Sequence, residues 1–92
     1  MPESAIQHKI IDYLKSIGGY PVKVVAATLS GNPDIICCYR GRFVAIEVKQ
    51  PGKNPTALQK LKMERIAEAG GIAFTARSVS DVKEALIQHN LS

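Results

Sequence analysis

Two apolar runs separated by a short basic turn constrain the fold of this chain more than any other feature. The runs are residues 35–39, IICCY, and residues 43–49, FVAIEVK, and Arg40-Gly41 stands between them. Two apolar runs joined by so short a turn are typical of neighbouring antiparallel strands, so the segment predicts a β-hairpin. Because both strands are apolar on both faces, they need cover on two sides. We therefore predict a mixed sheet with helices on both of its faces.

The pattern of apolar residues along the rest of the chain predicts the element order α-β-β-β-α-β-α. Besides the hairpin, the predicted elements are a helix over residues 3–17, strands over 20–27 and 72–76, a helix from Thr56 to about Ala69, and a last helix capped by Ser80. The last helix carries Val82, Ala85 and Leu86 on one face. Between the first strand and the hairpin, TLSGNPD has the composition of a turn.

The composition of the chain is that of a small globular domain. Its 92 residues suffice for one hydrophobic core and are too few for two, so we expect a single domain over residues 1–92. The hydrophobic content of 46% excludes a disordered chain, and no apolar run is long enough to span a bilayer. The net charge of +4 favours a polyanionic partner, and a solvated basic surface explains it about as well.

The two cysteines indicate the cellular compartment in which the protein resides. Cys37 and Cys38 are adjacent on a strand, so their side chains point to opposite faces and cannot easily bond to each other. We interpret both as reduced, buried residues of an intracellular, cytoplasmic protein.

Three charged residues stand at the end of the hairpin away from its turn, namely Asp34, Glu47 and Lys49. Charged side chains in buried strands are costly unless they are paired or bound to a metal. A two-residue loop pairs Tyr39 with Arg42, and the same register places Asp34 opposite Glu47. Opposed residues of an antiparallel pair project to one face, and Lys49, two residues beyond Glu47, shares that face. The three charged groups therefore converge.

Two carboxylates held this close repel each other, so either one is protonated or a cation lies between them. Oxygen ligands suit Mg²⁺ or Mn²⁺, and the backbone carbonyl of Val48 is a candidate third ligand beside Asp34 and Glu47. Lys49 could then orient an attacking water or stabilise the charge of a transition state. The alternative is a structural salt bridge between Lys49 and one of the two acids.

The residues of this cluster carry a recognisable motif. Pro33-Asp34 followed by Glu47-Val48-Lys49 resembles the PD-(D/E)XK nuclease motif. The spelling GNPD, then IEVK, then Gln59 after a loop containing Lys, Pro and Thr is similar to the virus-type replication-repair nuclease (VRR-NUC) domain. The resemblance covers nearly the whole chain. It implies a free-standing, minimal domain with an α/β, restriction-endonuclease-like fold, in which helices flank a mixed sheet.

The resemblance also implies roles for the matching residues. Asp34, Glu47 and the Val48 carbonyl would bind the metal, and Lys49 would assist the attacking water. Glu3 matches an acidic residue that the family places on its first helix near the metal, so it is a candidate catalytic residue and metal ligand. A simpler explanation for Glu3 is that its charge complements the N-terminus of a helix.

Three further residues complete the candidate site. Gln59 matches the glutamine that the family carries on the helix after the motif, and we expect it to act in catalysis. A capping box, Thr56-x-x-Gln59, explains the same glutamine without a catalytic role. Gly31, which permits a tight turn, and Lys53, in the loop after the motif, are the candidate DNA-binding residues.

The resemblance implies a Mg²⁺- or Mn²⁺-dependent endonuclease that hydrolyses phosphodiester bonds in DNA and leaves 5′-phosphate and 3′-hydroxyl ends. It further implies selectivity for branched or four-way-junction DNA and a virus-encoded protein. Because a junction is approximately two-fold symmetric, we expect a homodimer, with Ile87 and Leu91 of the last helix as candidate contacts. The alternatives are a catalytically silent DNA-binding subunit with the same fold and a metal-free interaction domain.

Overall fold

A computed structural model describes residues 1–25 and 31–91 of the chain. In chain order its elements are α1 (Glu3–Ser16), β1 (Tyr20–Lys23), β2 (Ile35–Tyr39), β3 (Arg42–Val48), α2 (Ala57–Glu68), β4 (Ile72–Ala76) and α3 (Val79–Gln88). The predicted order α-β-β-β-α-β-α is confirmed. Within the described residues, no helix combines the length and the apolar character that crossing a membrane requires.

The four strands form one mixed sheet in the order β1-β2-β3-β4. The β1–β2 and β2–β3 pairs are antiparallel, and β3 and β4 are parallel. A parallel pair needs a crossover connection, and α2 supplies it between β3 and β4. Because β3 and β4 run in the same direction, their C-terminal ends lie side by side at one edge of the sheet.

The hydrophobic core lies between one face of the sheet and the helices α1 and α3. Its strand residues alternate along the chain, so that every second side chain of β2 and β3 points towards these helices. The core side chains are Ile6, Ile10, Leu14, Ile35, Cys37, Tyr39, Val44, Ile46, Val48, Ile72, Ala76, Val82, Leu86 and Leu91. This face supplies nearly all of the buried apolar surface that stabilises the fold.

The opposite face of the sheet is covered only in part. α2 contacts β3 and β4, and no described helix contacts β1 and β2 on this side. Helices lie on both faces, as predicted, but cover of the second face stops at β3. None of the α2 side chains is buried, and the exposed side chain of Cys38 lies on this face, so the prediction that both cysteines are buried is wrong for Cys38.

Side chains on this second face form three rows across the sheet, because strand pairing places them side by side. From the hairpin turn towards the opposite end, the rows are Tyr20, Cys38 and Phe43, then Val22, Ile36, Ala45 and Ala73, then Asp34, Glu47 and Thr75. The first two rows contain no charged residue. The charged cluster identified in the sequence therefore forms the end of an otherwise uncharged surface.

The helix caps are set by local hydrogen bonds. Thr56 caps α2, as predicted. The last helix is capped by Ser78, whose hydroxyl accepts a hydrogen bond from the Asp81 N–H at 3.1 Å, so the prediction of Ser80 is wrong. Ser80 lies inside the first turn and is exposed. Ser78 has the extended backbone that an N-cap requires, and this conformation could not be read from the sequence.

Leu91 differs from its predicted exposure because the chain turns back after α3. Asn90 has a φ of 60°, and the Leu91 N–H donates to the Leu86 carbonyl at 2.8 Å. This is a Schellman motif, which brings the residue after the turn onto the helix it follows. Leu91 is consequently only 7% exposed, whereas Ile87 is 58% exposed, so α3 offers one apolar contact at its surface rather than two.

The first strand is shorter than its apolar sequence predicts. β1 ends at Lys23, although the Val24 N–H still donates to the Asp34 carbonyl at 2.8 Å. The predicted continuation at residues 26–27 and the start of the predicted turn at residues 28–30 lie outside the described residues.

Candidate active site

The turn of the β2–β3 hairpin determines which residues meet at its far end. Arg40 and Gly41 both have positive φ, 51° and 75°, as a two-residue type I′ loop requires. Pairing runs from Tyr39 opposite Arg42 to Ile35 opposite Ile46. The next position in this register places Asp34 across from Glu47. The predicted even-length loop is therefore confirmed, and its register brings the two acids to the same face of the sheet.

Asp34 is held in place by the backbone on both sides. Its carboxylate Oδ2 accepts a hydrogen bond from the Val48 N–H at 2.8 Å, and its carbonyl accepts one from the Val24 N–H at 2.8 Å. The carboxylate bonds to β3, and the carbonyl ties the residue to the end of β1. These contacts fix the side chain at the mouth of the hairpin, beside Glu47.

Glu47 is the most deeply buried charged residue described. Its side chain is 2% exposed and lies in the row that also contains Thr75 of β4. Its Oε1 accepts a hydrogen bond from the Gln59 amide Nε2 at 3.2 Å. Its Oε2 is buried and has no hydrogen-bond partner among the described residues. A buried carboxylate oxygen without a donor is costly, and such an atom needs a proton or a cation.

The electrostatics of the pair follow from this burial. The pKa of the Glu47 carboxyl is raised from 4.5 to about 8, mainly by burial and further by Asp34, which can accept a hydrogen bond from the protonated carboxyl and repels the ionised one. The positive charge of Lys49 lowers the pKa of Glu47, and the charge of Glu3 raises it by the smallest contribution. Without a metal, Glu47 holds a proton near neutral pH, as expected for two adjacent carboxyl groups.

Gln59 serves the helix and the acid cluster at once. Its N–H donates to the Thr56 hydroxyl at 3.2 Å, and its Oε1 accepts from the Thr56 N–H at 2.8 Å, which completes the predicted capping box. The amide nitrogen of the same side chain donates to Glu47. The two interpretations of Gln59 are thus compatible, because the amide has an oxygen for the cap and a nitrogen for the carboxylate.

Lys49 and Glu3 lie near the acid pair, and the charge of each acts on Glu47. The Lys49 N–H donates to the Ala76 carbonyl at 3.1 Å, which extends the β3–β4 ladder by one bond and leaves the side chain half-buried. Glu3 begins α1, and two residues before it the Met1 carbonyl accepts a hydrogen bond at 3.2 Å from the Gln50 amide of the loop after β3. Among the described residues, no three His, Cys, Asp or Glu side chains form a group that could hold a metal ion.

The two candidate DNA-binding residues differ in what the structure explains. Gly31 has a φ of 80°, and a Cβ atom there would lie 2.7 Å from the Leu58 Cγ of α2. Glycine is thus required for backbone conformation and for close packing on α2, which accounts for Gly31 without a DNA contact. Lys53 is exposed in the loop between β3 and α2, where its side chain is free to meet a ligand.

Sequence reasoning missed one residue that contacts the loop of the site. Arg77 follows β4 directly, and its guanidinium donates to the Lys53 carbonyl at 3.2 and 2.7 Å and to the Asn54 Oδ1 at 3.0 Å. Its side chain reaches the loop because the ends of the parallel strands β3 and β4 lie together. The only signal in the sequence was a basic residue at the end of a strand.

The donor set at the end of the hairpin fits a hard divalent cation. Asp34 and Glu47 supply carboxylate oxygens, one of which is buried and unpaired. The N–H and C=O of a strand residue point to the same side, so the Val48 carbonyl points towards the β2 side of β3, as its N–H does. Oxygen ligands of this kind are those that Mg²⁺ and Mn²⁺ prefer.

The chain resembles known proteins in sequence and in structure. No protein-family model matches the chain. A curated protein, "Putative nuclease p44" of Acyrthosiphon pisum secondary endosymbiont phage 1, is 29% identical over 69 residues, which cover 74% of each chain. A solved structure described as "VRR_NUC domain" superimposes with a TM-score of 0.79 at 28% identity and covers 95% of both chains.

A second solved structure, described as "VRR_NUC domain protein", covers 100% of this chain and 91% of its own, with a TM-score of 0.77 and 22% identity. At that identity the match speaks for the fold alone. The sheet order, the acid pair on the β2–β3 hairpin and the two structural matches agree with the motif found in the sequence. The chain therefore has the α/β, restriction-endonuclease-like fold of VRR-NUC domains, and its sequence resembles that family.

Proposed function

We propose that this chain is a Mg²⁺- or Mn²⁺-dependent endonuclease that hydrolyses phosphodiester bonds in DNA, with its nuclease domain spanning residues 1–92. The observation that carries the proposal is the buried, unpaired Oε2 of Glu47 beside the carboxylate of Asp34. A merely structural acid would be paired, since an unpaired one costs stability. The phage relative is named "Putative nuclease p44", and this name supports the same activity.

Asp34, Glu47 and the Val48 carbonyl would hold the metal. When bound, the ion offsets negative charge on the scissile phosphate and makes water a better nucleophile. Glu3 is close enough for its charge to act on Glu47, so we assign it a role near the metal and test it separately from the two carboxylates.

The protein's own groups then have distinct tasks. Asp34 is fixed by the Val48 N–H and Glu47 by the Gln59 amide, so both carboxylates keep their positions as charge develops on the phosphate. Lys49, on the same face, orients the water that attacks phosphorus in line with the leaving 3′ oxygen. The phosphorus–oxygen bond to that leaving group breaks, which produces a 5′-phosphate and a 3′-hydroxyl.

We further propose that the substrate is branched DNA, with four-way junctions favoured, and that the protein is virus-encoded and acts in the cytoplasm. The phage origin of the relative supports the last two points. Cleavage of labelled duplex, single-stranded, flapped and four-way-junction DNA, each with Mg²⁺, with Mn²⁺ and with EDTA, tests the proposal. A catalytically silent DNA-binding subunit would bind these DNAs and cleave none of them.

Removing any one of the three charged groups at the end of the hairpin should slow the reaction strongly while leaving DNA binding largely intact. We expect Asp34→Asn, Glu47→Gln and Lys49→Ala to lower kcat at least about 100-fold, because each removes a charge that acts on the reacting phosphate. Lys15→Ala, which removes an exposed lysine at the other end of α1 from Glu3, is the matched control and should cleave normally. Near-normal cleavage by Lys49→Ala would make Lys49 a salt-bridge partner only.

The two roles of Gln59 can be separated with its capping partner. Thr56→Ala removes the hydroxyl of the cap and should lower the free energy of unfolding by about 1 kcal/mol with little change in kcat. Gln59→Ala keeps the backbone N–H that bonds to Thr56 but removes the side-chain half of the capping box and the bond to Glu47, so it should also lower kcat by about tenfold. Chemical denaturation and single-turnover cleavage measure the two effects. Equal kcat values for both variants would reduce Gln59 to a helix cap.

The buried acid pair makes the stability of the metal-free protein depend on pH. Because the pKa of Glu47 is raised from 4.5 to about 8, the native state binds more protons than the unfolded state between these values. The contribution of Glu47 to the free energy of unfolding should therefore be fully present below pH 4.5 and be lost as pH rises towards 8, by at most about 1.4 kcal/mol per pH unit.

Glu47→Gln removes this dependence, so its stability advantage over the wild type should grow from pH 5 to pH 8. Adding Mn²⁺ at pH 8 should raise the melting temperature of the wild type and leave that of Glu47→Gln unchanged. Thermal denaturation at both pH values measures each effect. A parallel pH dependence in the two proteins would show that Glu47 is not the titrating group.

We also propose that the chain forms a homodimer through the two uncharged rows of the sheet. Tyr20 is 74% exposed and Val22 49%, on the half of the sheet that no described helix covers, and Phe43 of β3, which lies beside α2, is 47% exposed. These rows carry no charge with which to bind phosphates, so DNA is not their natural partner. A second copy of the chain would cover them through a two-fold symmetric interface.

The location of this interface can be tested with two matched variants. Val22→Glu places a charge in the uncharged rows and should weaken dimerisation at least 100-fold, roughly the cost of burying an unpaired carboxylate. Ile87→Glu places the same charge on the exposed face of α3, at the dimer contact that the sequence suggested, and should leave the dimer intact because the proposed interface lies on the sheet. Sedimentation velocity across micromolar concentrations distinguishes them, and a monomeric wild type would contradict the dimer altogether.

A further inference from the structure

The loop between β3 and α2 joins two parts of the candidate site. It begins after Lys49 and ends at Thr56, the cap of the helix that carries Gln59. Its first residues form a tight turn in which the Lys53 N–H donates to the Gln50 carbonyl at 3.1 Å, with Gly52 at a φ of 84°. Pro51 followed by a glycine of positive φ is typical of a type II turn. The turn presents Lys53 at its end.

Arg77 holds this loop from outside the motif. Its Nε and Nη2 donate to the Lys53 carbonyl at 3.2 and 2.7 Å, and Nη2 also donates to the Asn54 Oδ1 at 3.0 Å. All three bonds end on neutral oxygens of two adjacent loop residues. The planar guanidinium offers several donors in a fixed arrangement, which lets one side chain grip two residues at once.

Arg77, which holds the loop, is itself bonded to a rigid part of the fold. The Arg77 N–H donates to the Asp81 carboxylate at 2.8 Å in the first turn of α3. The preceding residue, Ala76, accepts from the Lys49 N–H at 3.1 Å. Residues 76 and 77 thus bind the beginning of the loop at Lys49 and its middle at Lys53 and Asn54.

We propose that Arg77 is a positioning residue that holds Lys53 where its ammonium group contacts a DNA phosphate next to the cleaved bond. The inference rests on the proposed nuclease function. Arg77 acts by holding the loop rather than through its charge, because its three hydrogen bonds end on the Lys53 carbonyl and on the Asn54 side chain. Lys53 is exposed and ends a turn fixed at both sides, so its Cα has little freedom while its side chain can reach outwards.

Kinetics of four variants test this assignment. Lys53→Ala and Arg77→Ala should each raise KM about three- to tenfold with kcat changed less than twofold, the scale of one exposed phosphate contact. The double variant should be no worse than Lys53→Ala, since both changes remove the same contact. Arg77→Lys keeps the charge but loses the planar guanidinium with its fixed set of donors, so it should restore KM only in part.

Arg40→Asn is the matched control. It removes one positive charge at the far turn of the hairpin and keeps a residue that tolerates the positive φ there, so KM should not change. Full recovery by Arg77→Lys, or effects of Lys53→Ala and Arg77→Ala that multiply in the double variant, would overturn the positioning role.

A second measurement does not depend on nuclease activity. In DNA-free protein, trypsin should cut after Lys53 several-fold faster in Arg77→Ala, and at an intermediate rate in Asn54→Ala, which removes one of the three bonds. Arg40→Asn should match the wild type, and thermal denaturation checks that every variant is folded. An unchanged rate of proteolysis in Arg77→Ala would overturn the proposal that Arg77 holds the loop. A wild type that cleaves no DNA would overturn only the nuclease function.

Discussion

The acid pair at the end of the β2–β3 hairpin is the interaction on which the rest of the site depends. Asp34 and Glu47 would separate if they were free, because like charges repel and a buried carboxylate loses its hydration. The ladder of hydrogen bonds between the strands keeps them together, and the Val48 N–H and the Gln59 amide hold their oxygens. The fold thus maintains an arrangement that is unfavourable without a proton or a cation, which is what a metal site requires.

This arrangement is possible because the two faces of the sheet have separate tasks. The core between the sheet and the helices α1 and α3 buries apolar side chains of β2, β3 and β4. The other face is lightly covered, and α2 has no buried side chain. A face that contributes little to stability can carry an unpaired acid, a half-buried lysine and exposed apolar rows. The candidate site therefore lies on the face of the sheet that contributes less to the hydrophobic core.

Features set by local chemistry were predicted well. The Arg40-Gly41 turn determines the register, and the register determines that Asp34 lies across from Glu47. Features that need the tertiary structure were not. Ser78 rather than Ser80 caps α3 because its backbone is extended, and Leu91 is buried because a turn at Asn90 returns the chain to its own helix. Cys38 is exposed because no helix reaches that part of the sheet.

The sequence by itself determined the element order, the hairpin register and the acidic motif, because these depend on residue spacing and on a two-residue turn. It left open whether Gln59 caps a helix or contacts the acids, and the tertiary structure shows that it does both. It could not reveal Arg77, because this residue meets the loop only when the ends of β3 and β4 lie side by side. Contacts between segments distant in the chain follow from strand order and packing, which no local pattern specifies.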